Sequence, residues 1–366
     1  MKKIALFLSF SFTISVFAQT IPRSHMQIRY ELNKTTKSSL VKTLSDFVYS
    51  SLPSRMVGKP GHAKARDYII SEITKFDPKK SGKIEVDKFS VDAEFGKTFY
   101  QNDFDQRIKP QFEESSPDYQ KWSLFTQYIK TQIDQYKTNA AENIIWHKAG
   151  KDPSKKLVVL AHYDTISFDM NTFRIDEKSP TPGANYNGTG VSIALRIVEA
   201  LSRIPSLNYS VDVVFVDWQG LGYLGSHQYA KKLKSEDNSV IGFLNLEMLG
   251  QDSIYFDKNK VHGNMVVYHR AEDTKFIQSL IFHGDKMLEK VKFESKAIGF
   301  DNSDNIRLWE QGFIGGTFSQ NWEDDFNPKF YQTPHDTPET LNQDTFYQSY
   351  MFIGGAVLGT LLDITK

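Results

Sequence analysis

Hydrophobic positions change period in a regular order along the chain. Between Thr36 and Leu52, the residues Leu40, Leu44, Phe47 and Val48 recur at three- and four-residue spacing, which predicts an amphipathic helix ended by Pro53. His62 to Phe76 repeats that pattern through Ala65, Tyr68, Ile69 and Ile73. Ile84 to Val91 alternates as an edge strand does. Asn143 to Trp146 and the apolar run Leu157 to Ala161 read as strands, the second buried and ending at His162. A helix over 188–203 follows, with Ile193, Ala194, Ile197, Val198 and Leu201 on one face. Val211 to Asp217 is another buried strand, and a Gly-rich turn from Trp218 to Ser226 leads into a helix running to about Leu233. Ile241 to Met248 and Phe313 to Thr317 are further strands, and Val261 to His269 alternates as a second edge strand. Thr274 to Val291, Ser303 to Gln311 and Pro338 to Ile364 are helical. Strands alternating with helices predict an α/β three-layer sandwich: a mixed, largely parallel central sheet with helices on both faces.

Residues 92–140 break this rhythm. They are polar and aromatic-studded, with a helical pattern through Trp122, Phe125, Ile129 and Ile133. The segment reads as a helical insertion beside the sheet, either a lid or a surface helix without a role. The first 18 residues read as an export signal: Lys2 and Lys3, an apolar run from Ile4 to Phe17, and small residues Val16 and Ala18 at the cleavage positions. The mature domain would then span 19–366, in a periplasmic or extracellular compartment, with no membrane span after cleavage. With 44 basic and 44 acidic side chains the chain carries no net charge, which argues against a nucleic-acid partner. It has no cysteine, so disulfides and thiolate ligands are excluded and any metal would be held by His, Asp or Glu.

Candidate chemistry gathers at the strand ends. His162 and Asp164 stand two apart at the tip of one predicted strand, and Pro182-Gly183-Ala184 with Asn187-Gly188-Thr189-Gly190 forms a Gly-rich turn ahead of a helix. Open α/β sheets build sites at such places, and a hydrolytic metal site uses such residues. Five further histidines, His62, His147, His262, His269 and His283, lack metal-ligand spacing and read as surface or packing residues. Ser226 and His227 are adjacent, but no Gly-x-Ser-x-Gly elbow is present.

Several separated segments together resemble the M28 family of zinc aminopeptidases, which are related to glutaminyl cyclases. They are Arg55-Met56-Val57-Gly58, Ala161-His162-Tyr163-Asp164, the turn around Pro182 to Gly190, Leu224-Gly225-Ser226, Asn245-Leu246-Glu247-Met248, Ser303-Asp304 and Tyr331-Gln332-Thr333-Pro334-His335-Asp336-Thr337. The resemblance implies five metal ligands around two zinc ions and a Glu that deprotonates the attacking water. Carried over position by position, His162 keeps the first ligand and Asp164 the residue that orients it. Glu247 stands where Asp is usual. The bridging Asp falls on Tyr186, a phenol with an ordinary pKa of about 10 and a poor bridge. The general base falls on Gln219, a second carboxylate ligand on Gly220 and the last His on Gln332. His335 occupies a variable position, and Asn305 stands where the family carries His after Ser-Asp. Two remnant ligands and no base do not make this hydrolase. The expected role is a catalytically inactive, peptide- or protein-binding scaffold with no cofactor, or zinc at one weak site. The alternative is an aminopeptidase with a rearranged, at most mononuclear, site completed by His335. Tyr163, Asn185, Trp218, Tyr331 and His335 are expected around the pocket.

Overall fold

The computed structural model describes residues 23–362 apart from positions 170, 173, 237–238, 254–261, 289–291 and 327. The expected export signal lies outside the described residues. In chain order the elements are α1 (Arg23–Leu32), α2 (Lys37–Ser50), α3 (Pro60–Phe76), β1 (Lys83–Lys88), α4 (Ala93–Asp103), α5 (Pro117–Tyr136), β2 (Glu142–Lys148), β3 (Asp152–His162), β4 (Phe168–Asp169), β5 (Arg174–Ile175), α6 (Thr189–Arg203), β6 (Tyr209–Val216), α7 (Leu224–Ser235), β7 (Ser239–Glu247), β8 (His262–His269), α8 (Thr274–Asp285), β9 (Lys292–Lys296), α9 (Asn305–Glu310), β10 (Gly315–Gln320) and α10 (Gln343–Leu361).

Eight strands form one sheet in the order β1-β2-β6-β3-β7-β10-β8-β9. The centre, β6-β3-β7-β10, is parallel. β1, β2 and β6 pair antiparallel at one side, and β8 runs antiparallel to β10 at the other. Buried on both faces, the central strands are continuous apolar runs such as Leu157 to Ala161 and Val213 to Val216. One face packs against α2, α3, α6 and α10 through residues including Phe47, Ile69, Ile197 and Phe352. The other face packs against α7 and α9 through Tyr229, Leu233 and Leu308. The expected three-layer sandwich is the fold.

Four differences from the expected elements are seen. β8 is not an edge strand, because β9 pairs parallel outside it. β9 is short and mostly polar, and its residues sit directly behind the predicted helix, which stops at Asp285 instead. α1 has only Ile28 and Leu32 as buried aliphatic anchors, too few to show a period, while Met26 and Tyr30 are exposed. The expected first edge strand stops at Lys88, and the chain then turns into α4. Residues 93–136 are mostly helical: α4 continues through a π turn (Phe104–Ile108) and a 3₁₀ turn (Lys109–Gln111), and a short loop leads into α5. Their apolar side chains form a small core of their own with Met56, Trp218, Leu221 and Leu224.

Candidate functional site

The carboxyl ends of the central strands open on one edge of the sheet. β3 ends at His162 and β7 at Glu247, while Asp217 follows the last residue of β6. Four of the five described non-glycine residues with positive φ, Trp218, Tyr223, Met248 and Gln332, lie in the loops at this edge, at φ of 54–57°. Each such left-handed residue costs about 1–3 kcal/mol. The loops are therefore held by other contacts.

Those contacts are visible for the turn after Pro182. Gly183 takes φ +59°, and a Cβ there would meet Thr165 and the Tyr186 carbonyl at 2.5 Å, so only glycine fits. The buried Arg55 guanidinium donates to the carbonyls of Tyr163 (2.8 Å), Pro182 (2.5 Å) and Gly183 (2.8 Å). Asp336 accepts from the backbone N–H of Asn185 (2.8 Å) and Tyr186 (2.9 Å). Burial pushes the Asp336 carboxyl up to about 6, against the pull of those two amides. Asn187 donates to the Leu246 carbonyl and receives the N–H of Met248, which ties the turn to the end of β7.

This framework sets Tyr186, which the resemblance aligns with a bridging carboxylate, beside His162. Its ring lies 4.9 Å from that of His162, and its hydroxyl donates to Oε1 of Gln219. Burial first, then the nearby Tyr331 and Glu247, hold the phenol well above its ordinary pKa, so it is neutral at pH 7. Beneath it, Nε2 of His162 is 3.3 Å from Oε1 of Glu247, and Nδ1–H of His162 donates to the Asp164 carbonyl at 3.0 Å. Burial alone would lower the His162 pKa, but the carboxylates of Glu247 and Asp164 outweigh it and push it up to about 10. His162 and Glu247 thus form a buried pair, with Ser303 donating to the other Glu247 oxygen at 2.7 Å.

The remaining ligand positions are closed by chemistry or by space. Position 220 is glycine, and a Cβ there would lie 1.9 Å from Cγ2 of Ile166, so the room a carboxylate needs is already filled. Gln332 turns its amide N–H to the Tyr331 hydroxyl at 3.1 Å. The Asp164 carboxylate accepts the backbone N–H groups of Gln219 and Gly220, and Asp217 pairs with His62 at 2.7 Å. Asp304, held by Ser226, is pushed up to about 7 by burial. Among the described residues no group of three or more His, Asp or Glu side chains could hold a metal ion. The donor set fits neither a pair of zinc ions nor a three-ligand site.

Above Tyr186 lies a cavity of about 480 Å³. Tyr186, Gln219, Gly220, Tyr331 and Gln332 form its floor and near wall, and neither His162 nor Glu247 lines it. The insertion roofs it with Phe99, Tyr100, Trp122 and Phe125, and the loop after β10 adds Trp322 and Phe326. α4 is anchored by Arg307, whose guanidinium lies 4.5 Å from the Phe95 ring and 4.4 Å from the Phe99 ring, and by the Tyr100 hydroxyl on the Gly220 carbonyl. At the rim, Arg107 sits 3.4 Å from Asp103 and 3.5 Å from Asp301.

Of the residues expected around the pocket, Tyr331 lines it and four lie elsewhere. Tyr163 is fully buried, stacks on His62 and donates to the Glu142 carbonyl. Asn185 bonds Gln320 and Gly250 behind the turn. Trp218 packs into the core beneath the insertion. His335 is exposed and does not line the cavity. The aromatic roof was visible in sequence only as ring density, since pattern could not say which rings face inward.

The profile of Peptidase family M28 matches residues 143–355. Aminopeptidase YwaD of Bacillus subtilis is 24% identical over 241 residues, 62% of this chain and 46% of that protein. A probable zinc metalloprotease of Pyrenophora tritici-repentis is 31% identical over 104 residues, 28% of this chain and 20% of its own length. The chain thus spans less than half the length of either relative. Among solved structures, Legionella pneumophila LapA aminopeptidase superposes with TM-score 0.64 at 15% identity, over 92% of this chain and 75% of that one. Bacteroides thetaiotaomicron glutaminyl cyclase superposes with TM-score 0.61 at 15% identity, over 90% and 99%. These two likenesses concern the fold.

Proposed function

The chain belongs to peptidase family M28, and from that premise we propose that this member is a non-hydrolytic binding protein that uses the inherited cleft to hold a peptide or protein segment. One observation carries the reading: Tyr186 packs on His162 and lines the cavity, while His162 and Glu247 contact each other and do not line it. The family's metal-dependent chemistry needs a cation to activate water and a carboxylate to take its proton. Gln219 stands at the proton-accepting position, and an amide cannot take that proton. With the cavity intact, binding without turnover is the function these residues support. The apolar amino-terminal stretch supports export, and no helix among the described residues is long and apolar enough to cross a membrane.

A second reading has one observation in its favour. The 3.3 Å between His162 Nε2 and Glu247 Oε1 also suits two ligands each about 2.0–2.2 Å from one zinc ion. The candidate third donors, Asp164 and Asp217, are turned to backbone amides and His62, and His335 is exposed.

The deciding experiment is elemental analysis of the purified full chain after zinc exposure, with turnover of amino-acid p-nitroanilides measured in parallel. Zinc well below one ion per chain and no turnover above a Gln219→Ala control are expected. Chelator-sensitive turnover that His162→Ala abolishes would establish the mononuclear enzyme instead.

A further inference from the structure

The cavity is formed between two sets of aromatic rings. On the insertion side, Tyr100 meets Phe99 at 5.3 Å and 69°, and Phe125 at 6.1 Å and 83°. On the other side, Tyr331 meets Tyr186 at 5.2 Å and 76°, and Trp322 at 5.4 Å and 86°. One more ring placed between them would continue the edge-to-face arrangement that aromatic groups prefer. The volume, about 480 Å³, lies within the usual span of small-ligand sites.

Charge and hydrogen bonding narrow the occupant further. The floor carries no free carboxylate. Gln219, Gly220 and Gln332 are uncharged, and Glu247, in contact with His162 at 3.3 Å, does not line the cavity. The lining charges, Asp103, Arg107 and Asp301, are linked to one another at the rim. A free ammonium group entering the floor would lose its hydration without gaining a counter-charge. Most lining amide and hydroxyl groups are already engaged: Gln111 with the Arg107 carbonyl, the Tyr100 hydroxyl with Gly220, and the Tyr331 hydroxyl with Gln332. A hydroxyl-rich sugar would therefore find few partners. Among the described residues, the Gln219 side-chain NH2 and the Gln332 side-chain oxygen at the floor have no protein partner, so the two amides offer one donor and one acceptor; the Tyr331 and Tyr223 O–H groups on the lining also lack an acceptor. One donor and one acceptor are what a single ligand amide requires.

We propose that the cavity receives an aromatic side chain on a peptide residue whose amino group is acylated, as within a chain or at a blocked end, with Gln219 and Gln332 reading its amide. This rests on the non-hydrolytic reading and inverts the charge selection of an aminopeptidase, which must accept a free amino terminus.

Calorimetric titration of the full chain at about pH 6.5, where an α-amino group is mostly protonated, tests it with N-acetyl-phenylalanine amide, phenylalanine amide and maltotriose as probes. The acetylated probe should bind at least about tenfold more tightly than the free amine, unaffected by EDTA, and be recovered intact. Gln219→Glu should shrink or reverse that ratio by about tenfold, and Phe125→Ala should weaken the acetylated probe, both with melting behaviour checked. A preference for the free amine, tighter maltotriose binding or no binding of any probe overturns the proposal. Cleavage of a probe would overturn the non-hydrolytic reading alone, because the acetylated-to-free ratio would still decide the occupant.

Discussion

A carboxylate cannot be returned to position 220 by substitution alone, because Ile166 already occupies the space beside the glycine. Gly220→Glu is therefore expected to destabilise the fold by about 1–3 kcal/mol through overpacking. Adding Ile166→Ala should recover part of the loss, as a non-additive pair in a urea-unfolding cycle. Tyr186 is similarly committed. Tyr186→Phe keeps the ring against His162 but leaves the buried Gln219 oxygen without its donor, at a cost of about 1–2 kcal/mol by the same measurement. At this scale the residue types at the strand ends were legible in sequence, one by one. That Tyr186 would bond Gln219, and that Ile166 would fill the vacated space, depends on residues 33 apart in one case and on a loop crossing in the other. No local pattern encodes either contact.

α4 meets the rest of the chain where Arg307 lies against Phe95 and Phe99 and His227 stacks on Phe95 at 3.7 Å. Arg307→Leu is expected to loosen this roof while leaving the central sheet intact, seen as faster hydrogen exchange across 93–136 than across β3 and β7. Acid should act on the same contact. Burial first, then the charges of Arg307 and Lys231, lower the His227 pKa to about 4, against a weaker opposing pull from Asp92. The unfolded segment takes up its proton near the ordinary value of about 6.5. The stabilisation is therefore complete above about pH 6.5 and is lost as pH falls from there through about 4. Hydrogen exchange of α4, corrected for intrinsic rates, should show this loosening, and His227→Phe should remove it. The helices of the insertion were legible from periodicity. Their place over the strand ends was not, because α4 meets the sheet through aromatic and cationic contacts that have no period.

For the whole molecule, the expectation concerns linkage. A native site that held zinc would raise stability by about 2.7 kcal/mol at a free concentration 100 times its dissociation constant. With two remnant donors paired to each other, the melting temperature is expected to be the same in zinc and in EDTA. A rise of several degrees in zinc, absent in His162→Ala, would show a metal site formed by rearrangement. Most of the architecture was legible because buried parallel strands must be continuously apolar and their covering helices amphipathic. The exceptions were α1, with too few apolar positions, and β9, a short strand directly behind a stronger helical pattern.

The sequence by itself determined the layers and the family likeness, since each depends on residue identity at short range or at fixed motif positions. Only the tertiary structure decided how the residues at the strand ends meet. The Tyr186 ring, the His162–Glu247 pair and the aromatic roof come from segments far apart in the chain. A side chain's partner, protonation and exposure are set by what packs against it, and that is fixed only when the sheet closes.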